Sequence, residues 1–327
     1  MPSRLPFPMR PLSSQKIMPV ILGMMLLVTW LGSLGRFWWL FDLFAHFRLQ
    51  YVLVCFVIGV FAWWRRHAWT AAFAGASCFW NIWLIVSIPG SGFTPVETIR
   101  GEAPLRVLTF NVLTTNLQRK AVVDYVLSTD ADIVCLIELT QAWRGDLEPL
   151  YRKYPKHADG LSFGNFSVAC FTRLPLRTFE ILDVPTLVVH LEHAGRPLTF
   201  IGAHPPRPFG EQNSQERKRH IHELAALLKP MSGEVILVCD LNSTPWCEGM
   251  RILMTESGLG FHSIPPVWMP TWSVGRPQMI PIDHVLVKGG LLVQKREVGP
   301  DLGSDHRPVL VEITPAPLSP DDVPPRR

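Results

Sequence analysis

Near the C-terminal end of the chain stand two Asp-His dipeptides, Asp283-His284 and Asp305-His306. A buried carboxylate orients an imidazole and stabilises its protonated form, which gives a usable proton-transfer group near neutral pH. Further upstream, apolar runs close on residues of the same chemical kind. LRVLTFN ends on Asn111, DIVCLIE on Glu138, PLTFIGAH on His204, and EVILVCDLN on Asp240 with Asn242 just beyond. Carboxylates with an amide are hard oxygen ligands, suited to Mg²⁺ or Mn²⁺ rather than zinc. Histidines among them suit base catalysis or stabilisation of a charged oxygen. One polar residue closing a strand is commonplace. A whole series closing on metal- or phosphate-competent types is not, and together they describe metal-assisted hydrolysis of a phosphate ester.

Those residues need a scaffold that brings strand tips together. IDHVLV alternates apolar and polar residues as a half-buried strand does, Lys288-Gly289-Gly290 supplies a turn, and LLVQKREV is the return strand. Gly299-Pro300 and Gly303 break the chain before Ser304-Asp305-His306, and VLVEI resumes a strand. ADIVCLIEL is apolar almost throughout, the mark of a strand buried on both faces. FSVACFTRLPL and TLVVHLE read as further strands. The spacing of Val122, Val123, Val126 and Leu127 predicts a helix over 118–129, and Gln212–Lys229 is amphipathic. Thr140 is placed to cap a helix running toward Leu150, and Thr244-Pro245 to open another.

Composition divides the chain. Residues 17–88 hold most of the tryptophan and a single acidic residue, Asp42, whereas the part after residue 100 has ordinary globular composition. This predicts a basic tail over 1–16, a membrane anchor over 17–90, one soluble domain over 100–315 and a disordered Pro-rich tail over 316–327. Three spans are expected, 17–34, 49–64 and 68–88; two remain if the aromatic stretch RFWWLFDLFAHFR and the second segment form one re-entrant element. A cleaved signal peptide competes for the first span, but the run is longer than such a segment and no small-x-small site ends it. With Arg65-Arg66 on the side of the basic N-terminus, the positive-inside tendency places everything after residue 90 outside the cytoplasm. A net charge of +4 is too small to argue for nucleic acid, and no CxxC supports a zinc or redox centre.

Taken in order, FNV, IELT, GAHPP, CDLN, PTW with IDHVLV, and GSDHRPV make the chain resemble the endonuclease/exonuclease/phosphatase superfamily over residues 103–314. That group includes DNase I-like nucleases, apurinic endonucleases, sphingomyelinases and inositol-polyphosphate 5-phosphatases. The anchor resembles the membrane-attached bacterial branch. The resemblance implies an α/β four-layer sandwich, two mixed β-sheets flanked by helices, here after an N-terminal transmembrane anchor in the bacterial inner membrane. It implies Glu138 as principal ligand of Mg²⁺ (or Mn²⁺), with Asn111 and Asp305 at or near the metal. Asp240 would orient or deprotonate the attacking water, and Asn242 would hold water and phosphate. His204 would bond a phosphoryl oxygen, and His306, paired with Asp283, would act as base or as charged stabiliser. No further cofactor and no protein partner is implied. Two positions depart from the pattern: Cys239 replaces the glycine that commonly precedes the motif's Asp, and Leu113 stands where some nucleases carry a charged residue.

The expected activity is therefore hydrolysis of phosphodiester bonds, nuclease-like by default. A phospholipid or small phosphate ester is the alternative substrate, and a non-catalytic membrane-bound binding protein the remaining reading. His284 is expected to point away from the site, Ser304 to shape its loop, and Trp272 to pack rather than stack on a base. Arg217-Lys218-Arg219-His220 is expected to form a solvated basic face.

Overall fold

The computed structural model describes residues 23–24, 26–88, 103–159, 167–182, 186–262, 269–276 and 279–316. The expected basic tail over 1–16 lies outside them, as do part of the expected first span and almost all of the expected Pro-rich tail. Two compact units divide the chain, Met1–Trp83 and Leu84–Arg327.

In the first unit, residues 26–31 are helical and run into a 3-10 turn at Gly32–Leu34. Helices α1 (Trp39–Ala45), α2 (Arg48–Trp64) and α3 (Ala68–Val86) follow. Among the described residues, α3 alone is long and apolar enough to cross a membrane, while α1 and α2 qualify only together, across a 66° bend. That bent pair has the form of a broken span or re-entrant element. Arg48 is buried, its guanidinium bonding Thr29 O at 2.7 Å, Asn81 Oδ1 at 3.0 Å and Ser33 Oγ at 3.2 Å. A charge inside an apolar helical unit requires such partners. Trp63 and Trp69 stand 77% and 90% exposed, so the unit leaves large aromatic surface uncovered.

The second unit is a sandwich. Its strands are β1 (Leu105–Asn111), β2 (Ile133–Ile137), β3 (Lys156–Asp159), β4 (Val168–Thr172), β5 (Leu176–Leu182) and β6 (Thr186–His193). They continue with β7 (Arg196–Ala203), β8 (Glu234–Asp240), β9 (Asp283–Lys288), β10 (Leu291–Val298) and β11 (Val309–Pro315). One sheet has strand order β10-β11-β1-β2-β4-β3, and the other β5-β6-β7-β8-β9. Both sheets are mixed: β1–β2 and β7–β8 are parallel and their other pairs antiparallel.

Period-2 alternation explains the layers. Val107, Ile133 and Cys135 pack with Leu187, Phe200, Ile236 and Val285 between the sheets. Leu108, Phe110, Val134 and Leu136 face outward, onto Val122 and Val126 of α4 (Arg119–Ser128) and Leu150 of α5 (Glu148–Lys153). On the second sheet's side lie α6 (Glu211–Leu228) and α7 (Glu248–Ser257). Lys288 Nζ donates to Leu228 O and Ser257 O, satisfying final carbonyls of both helices from one strand end.

Local departures from expectation have local causes. Between Thr140 and Leu150 there is a 3-10 turn, Gln141–Trp143, and a separate helix whose first turn is set by Pro149. Thr244 does not open a helix: its carbonyl accepts from Cys247 N–H in a turn, and α7 begins only at Glu248. The short β3 has no counterpart among the expected strands. Much of β5 is exposed, so it carries little of the apolar signal of a central strand.

Candidate active site

Register assembles the site. β8 and β9 run antiparallel with Asp240 opposite Asp283, so the last residue of one strand meets the first of the next. β7 lies parallel to β8 with Ala203 opposite Cys239, which puts His204 beside Asp240. In the other sheet, Asn111 ends β1 opposite Ile137 of parallel β2, so Glu138 follows at the same edge. Neighbouring tips from both sheets thus converge, and Asn111, Glu138, His204, Asp240, Asn242, Asp283 and His306 are all buried.

Asn111 is the link between the sheets. Its Nδ2 donates to Glu138 Oε1 and to Asp240 Oδ2, both at 3.0 Å, while its Oδ1 accepts from Leu113 N–H at 3.1 Å. Glu138 Oε2 accepts from Thr114 N–H at 3.2 Å and Thr114 Oγ1 at 3.0 Å. His204 Nε2 lies 3.4 Å from Asp240 Oδ2 and 3.9 Å from Glu138 Oε1. Asn242 donates its backbone N–H to Asp240 Oδ1 and its Nδ2 to Pro205 O, each at 3.0 Å. Glu138 and Asn242 adopt left-handed backbone, φ 61° and 50°. Residues other than glycine rarely do so, and such strain gathers at sites whose surroundings over-determine it.

His306 Nδ1 lies 2.9 and 3.1 Å from the two oxygens of Asp283, and its Nε2 is 3.5 Å from Asp240 Oδ2. Ser304 shapes this loop as expected, donating its hydroxyl to Asn111 O at 2.7 Å and accepting His306 N–H at 3.0 Å. Burial alone would lower the pKa of His306. The negative charges of Asp283, Asp240 and Asp305 outweigh that and push it up to about 9. Burial likewise opposes ionisation of Asp240, but the charge of His306 and the bonds from His204 and Asn111 hold its carboxyl well below the usual carboxylate range. Asp283 is pushed up by burial, against the pull of His306. With Nδ1 in reach of both Asp283 oxygens and Asp240 on the far side, His306 sits between two carboxyl groups.

Asp305 is held from another direction. Trp272 Nε1 donates to its Oδ2 at 2.9 Å, whereas Oδ1 is a buried oxygen with no hydrogen-bond partner among the described residues. This oxygen lies 3.9 Å from His306 Nε2, beyond hydrogen-bond reach, and a carboxylate oxygen without a hydrogen-bond donor fits a hard divalent cation. Ligand atoms of Asp240, Asp283 and His306 also lie within 4.8 Å of one another. Their mutual pairing already balances that group.

Several contributors have no role at the site assigned from the sequence. Thr114, which holds Glu138, lies in no recognisable motif, while Trp272, which holds Asp305, belongs to the PTW motif, whose letters do not specify that contact. Thr271 Oγ1 accepts the N–H groups of Ile282 and Asp283 at 3.2 and 3.3 Å, setting the start of β9. The basic run on α6 is not wholly solvated, which corrects the expectation. Arg217 and His220 are buried, and Arg217 Nη1 donates to Asn242 O and Ser243 Oγ, both at 2.8 Å, from behind the site. Helical spacing with Ile221 and Leu224 puts Arg217 on the inner face. His284 points away as expected, its Nε2 bonded to Ser243 O at 2.7 Å and its ring edge-on to Phe261.

Residues 108–306 match the sequence profile of the Endonuclease/Exonuclease/phosphatase family. A UPF0294 protein of Vibrio vulnificus strain CMCP6 is 26% identical over 235 residues, covering 66% of this chain and 79% of its own. Among solved structures, D. rerio TDP2 complexed with a single-strand DNA product is similar with a TM-score of 0.52 at 17% identity, over 65% of this chain and 100% of that one. Sphingomyelinase C from Streptomyces griseocarneus is similar with a TM-score of 0.50 at 15% identity, over 64% and 99%.

Proposed function

The chain belongs to the endonuclease/exonuclease/phosphatase family of phosphoesterase-type hydrolases, and from that premise we propose a membrane-tethered, divalent-cation-dependent hydrolase of phosphodiester bonds. One observation carries the reading: the tips of both sheets bring the Asp283–His306 pair, Asp240, His204 and Glu138 into one buried network. Glu138 and Asp305 would hold Mg²⁺ or Mn²⁺, with Asn111, expected at or near the metal, orienting Glu138 through its amide N–H. When bound, the cation supplies Lewis-acid stabilisation of charge on the phosphoryl and leaving oxygens.

The chain's own side chains divide the remaining work. Asp240, kept ionised and fixed by Asn111 and the Asn242 backbone, orients the attacking water and accepts its proton. Asn242 helps hold that water and the phosphate. His204 donates to a phosphoryl oxygen as negative charge builds there. His306, charged and locked by Asp283, stabilises the same charge from the other side. Its protonation argues for stabiliser over base. An anchor in the bacterial inner membrane, with the hydrolase outside the cytoplasm, would hold the domain within reach of its substrate.

Two substrate classes enter from the similar structures, a nucleic acid from the TDP2 complex and a phospholipid from the sphingomyelinase. The lipid reading has one further observation behind it. Leu117, Phe209 and Met269 are exposed large apolar side chains, each within three residues of Thr114, Arg207 or Trp272. The full chain in detergent should cleave bis(p-nitrophenyl) phosphate or single-stranded DNA with Mg²⁺ and lose that activity to EDTA. Headgroup release from mixed-lipid vesicles without nuclease activity would select the lipid class. Binding of Mg²⁺ with no turnover on any phosphoester would leave a binding protein and overturn the proposal.

A further inference from the structure

Arg207 stands at the edge of this network and no role above uses it. Its Nη2 lies 3.5 Å from Glu138 Oε1, a long contact for an ion pair, and its side chain is 42% exposed against 5% for Glu138. Asn111, Glu138, His204, Asp240 and His306, by contrast, are each less than a tenth exposed.

The loop under Arg207 is held firmly. Pro205, Pro206 and Pro208 fix their own φ. Pro205 O accepts from Asn242 Nδ2 at 3.0 Å, Pro208 O from Ser214 Oγ at 3.0 Å, and Arg207 O from Phe209 N–H at 2.9 Å. A fixed backbone therefore carries a half-exposed cation on a long, rotatable stem. Its carboxylate partner is the residue read as the principal metal ligand. A divalent ion on Glu138 repels the guanidinium and draws off the charge that holds it, so the long Arg207–Glu138 contact loosens when Glu138 is occupied.

Building on the proposed phosphoesterase reading, the geometry points to Arg207 as an exchangeable arm: counter-ion of Glu138 while the metal is absent, and clamp on a substrate phosphate once Glu138 is engaged. Guanidinium matches phosphate oxygens in a bidentate fork, which Lys cannot reproduce. The arm therefore favours substrates with a second negative charge, either a phosphate monoester dianion or a diester flanked by another phosphate.

The two states give opposite signs for one substitution. Arg207→Ala in the full chain should bind Mg²⁺ more tightly by calorimetry, about threefold to tenfold, because a competitor for Glu138 has gone. The same variant should raise KM for a 5′-phosphorylated dinucleotide about tenfold to hundredfold, with a smaller change for bis(p-nitrophenyl) phosphate. Arg207→Lys should restore the Mg²⁺ affinity of the parent but little of the KM. Weaker or unchanged Mg²⁺ binding in Arg207→Ala overturns the counter-ion half. Equal losses on both substrates overturn the clamp half. If no substrate is turned over by the parent chain, the proposed phosphoesterase function fails and the clamp half with it, and the calorimetry still decides whether Arg207 competes for Glu138.

Discussion

Replacing Asp283 by Asn tests the charge on His306 most directly. The substitution keeps the shape of the side chain and removes the carboxylate 2.9 Å from Nδ1, leaving Asp240 at 3.5 Å and Asp305 at 3.9 Å from Nε2. An adjacent carboxylate typically raises a titrating partner by about one to three units. Taking about two, the pKa of His306 falls from about 9 toward about 7, a loss of roughly 3 kcal/mol in preference for the imidazolium. The sign is fixed by the proposed role. If His306 works protonated, kcat/KM of the parent declines as pH rises through about 9, and in Asp283→Asn the same decline sets in near about 7. At about pH 8 the variant would then keep roughly a tenth of its imidazolium, while at about pH 6 it would keep most. The assay is a pH–rate profile on bis(p-nitrophenyl) phosphate at saturating Mg²⁺, both proteins in the same detergent. A parent profile that rises through about pH 9, or an alkaline limb that stays in place in the variant, refutes the assignment and makes neutral His306 the base.

Glu138→Gln keeps the bonds from Thr114 but loses the charge, so Mg²⁺ binding by calorimetry should disappear and kcat/KM should fall at least about 100-fold. His220 and His284 are both held neutral by burial, with pKa values lowered to about 4. Their contribution is present above the unfolded pKa of about 6.5 and lost as pH falls toward about 4, on the order of 3 kcal/mol each. Urea midpoints measured from about pH 7 to about pH 4.5 should drop steadily, and His220→Gln should flatten the slope. Leu187→Ala opens a cavity between the sheets and should cost about 2–5 kcal/mol in urea unfolding.

Most of the layer plan was legible from the sequence because the central strands are largely apolar, as β2 is; β9, expected as a half-buried alternating strand, is buried on both faces up to Lys288. β3 and β5 escape such a reading for the opposite reason: a very short strand, or an exposed edge, gives alternation nothing to act on. The expected site residues meet because nearly all of them follow or begin a readable strand. Apart from Asn242 and the Asp305-His306 pair, what could not be read was the set of supporting contacts made from loops and helix flanks. Arg217 bonds across more than twenty positions of sequence, and Trp272 grips Asp305 from a segment without regular structure. Such contacts depend on backbone paths that no short pattern specifies. The bend between α1 and α2 is similar, since composition describes an apolar stretch without saying where it turns.

Asn111 hydrogen-bonds Glu138 in its own sheet and Asp240 in the other, at equal distances. The candidate site is therefore a clasp closed across the interlayer gap, and its geometry can be no better than the spacing of the two sheets. Under the proposed function, turnover would gauge how the sandwich is stacked. Side chains buried midway along the strands, far from any substrate, can set the reaction rate through small changes in that separation. Such a site would tolerate wide variation in its surrounding loops while holding the volume of its middle layer nearly constant.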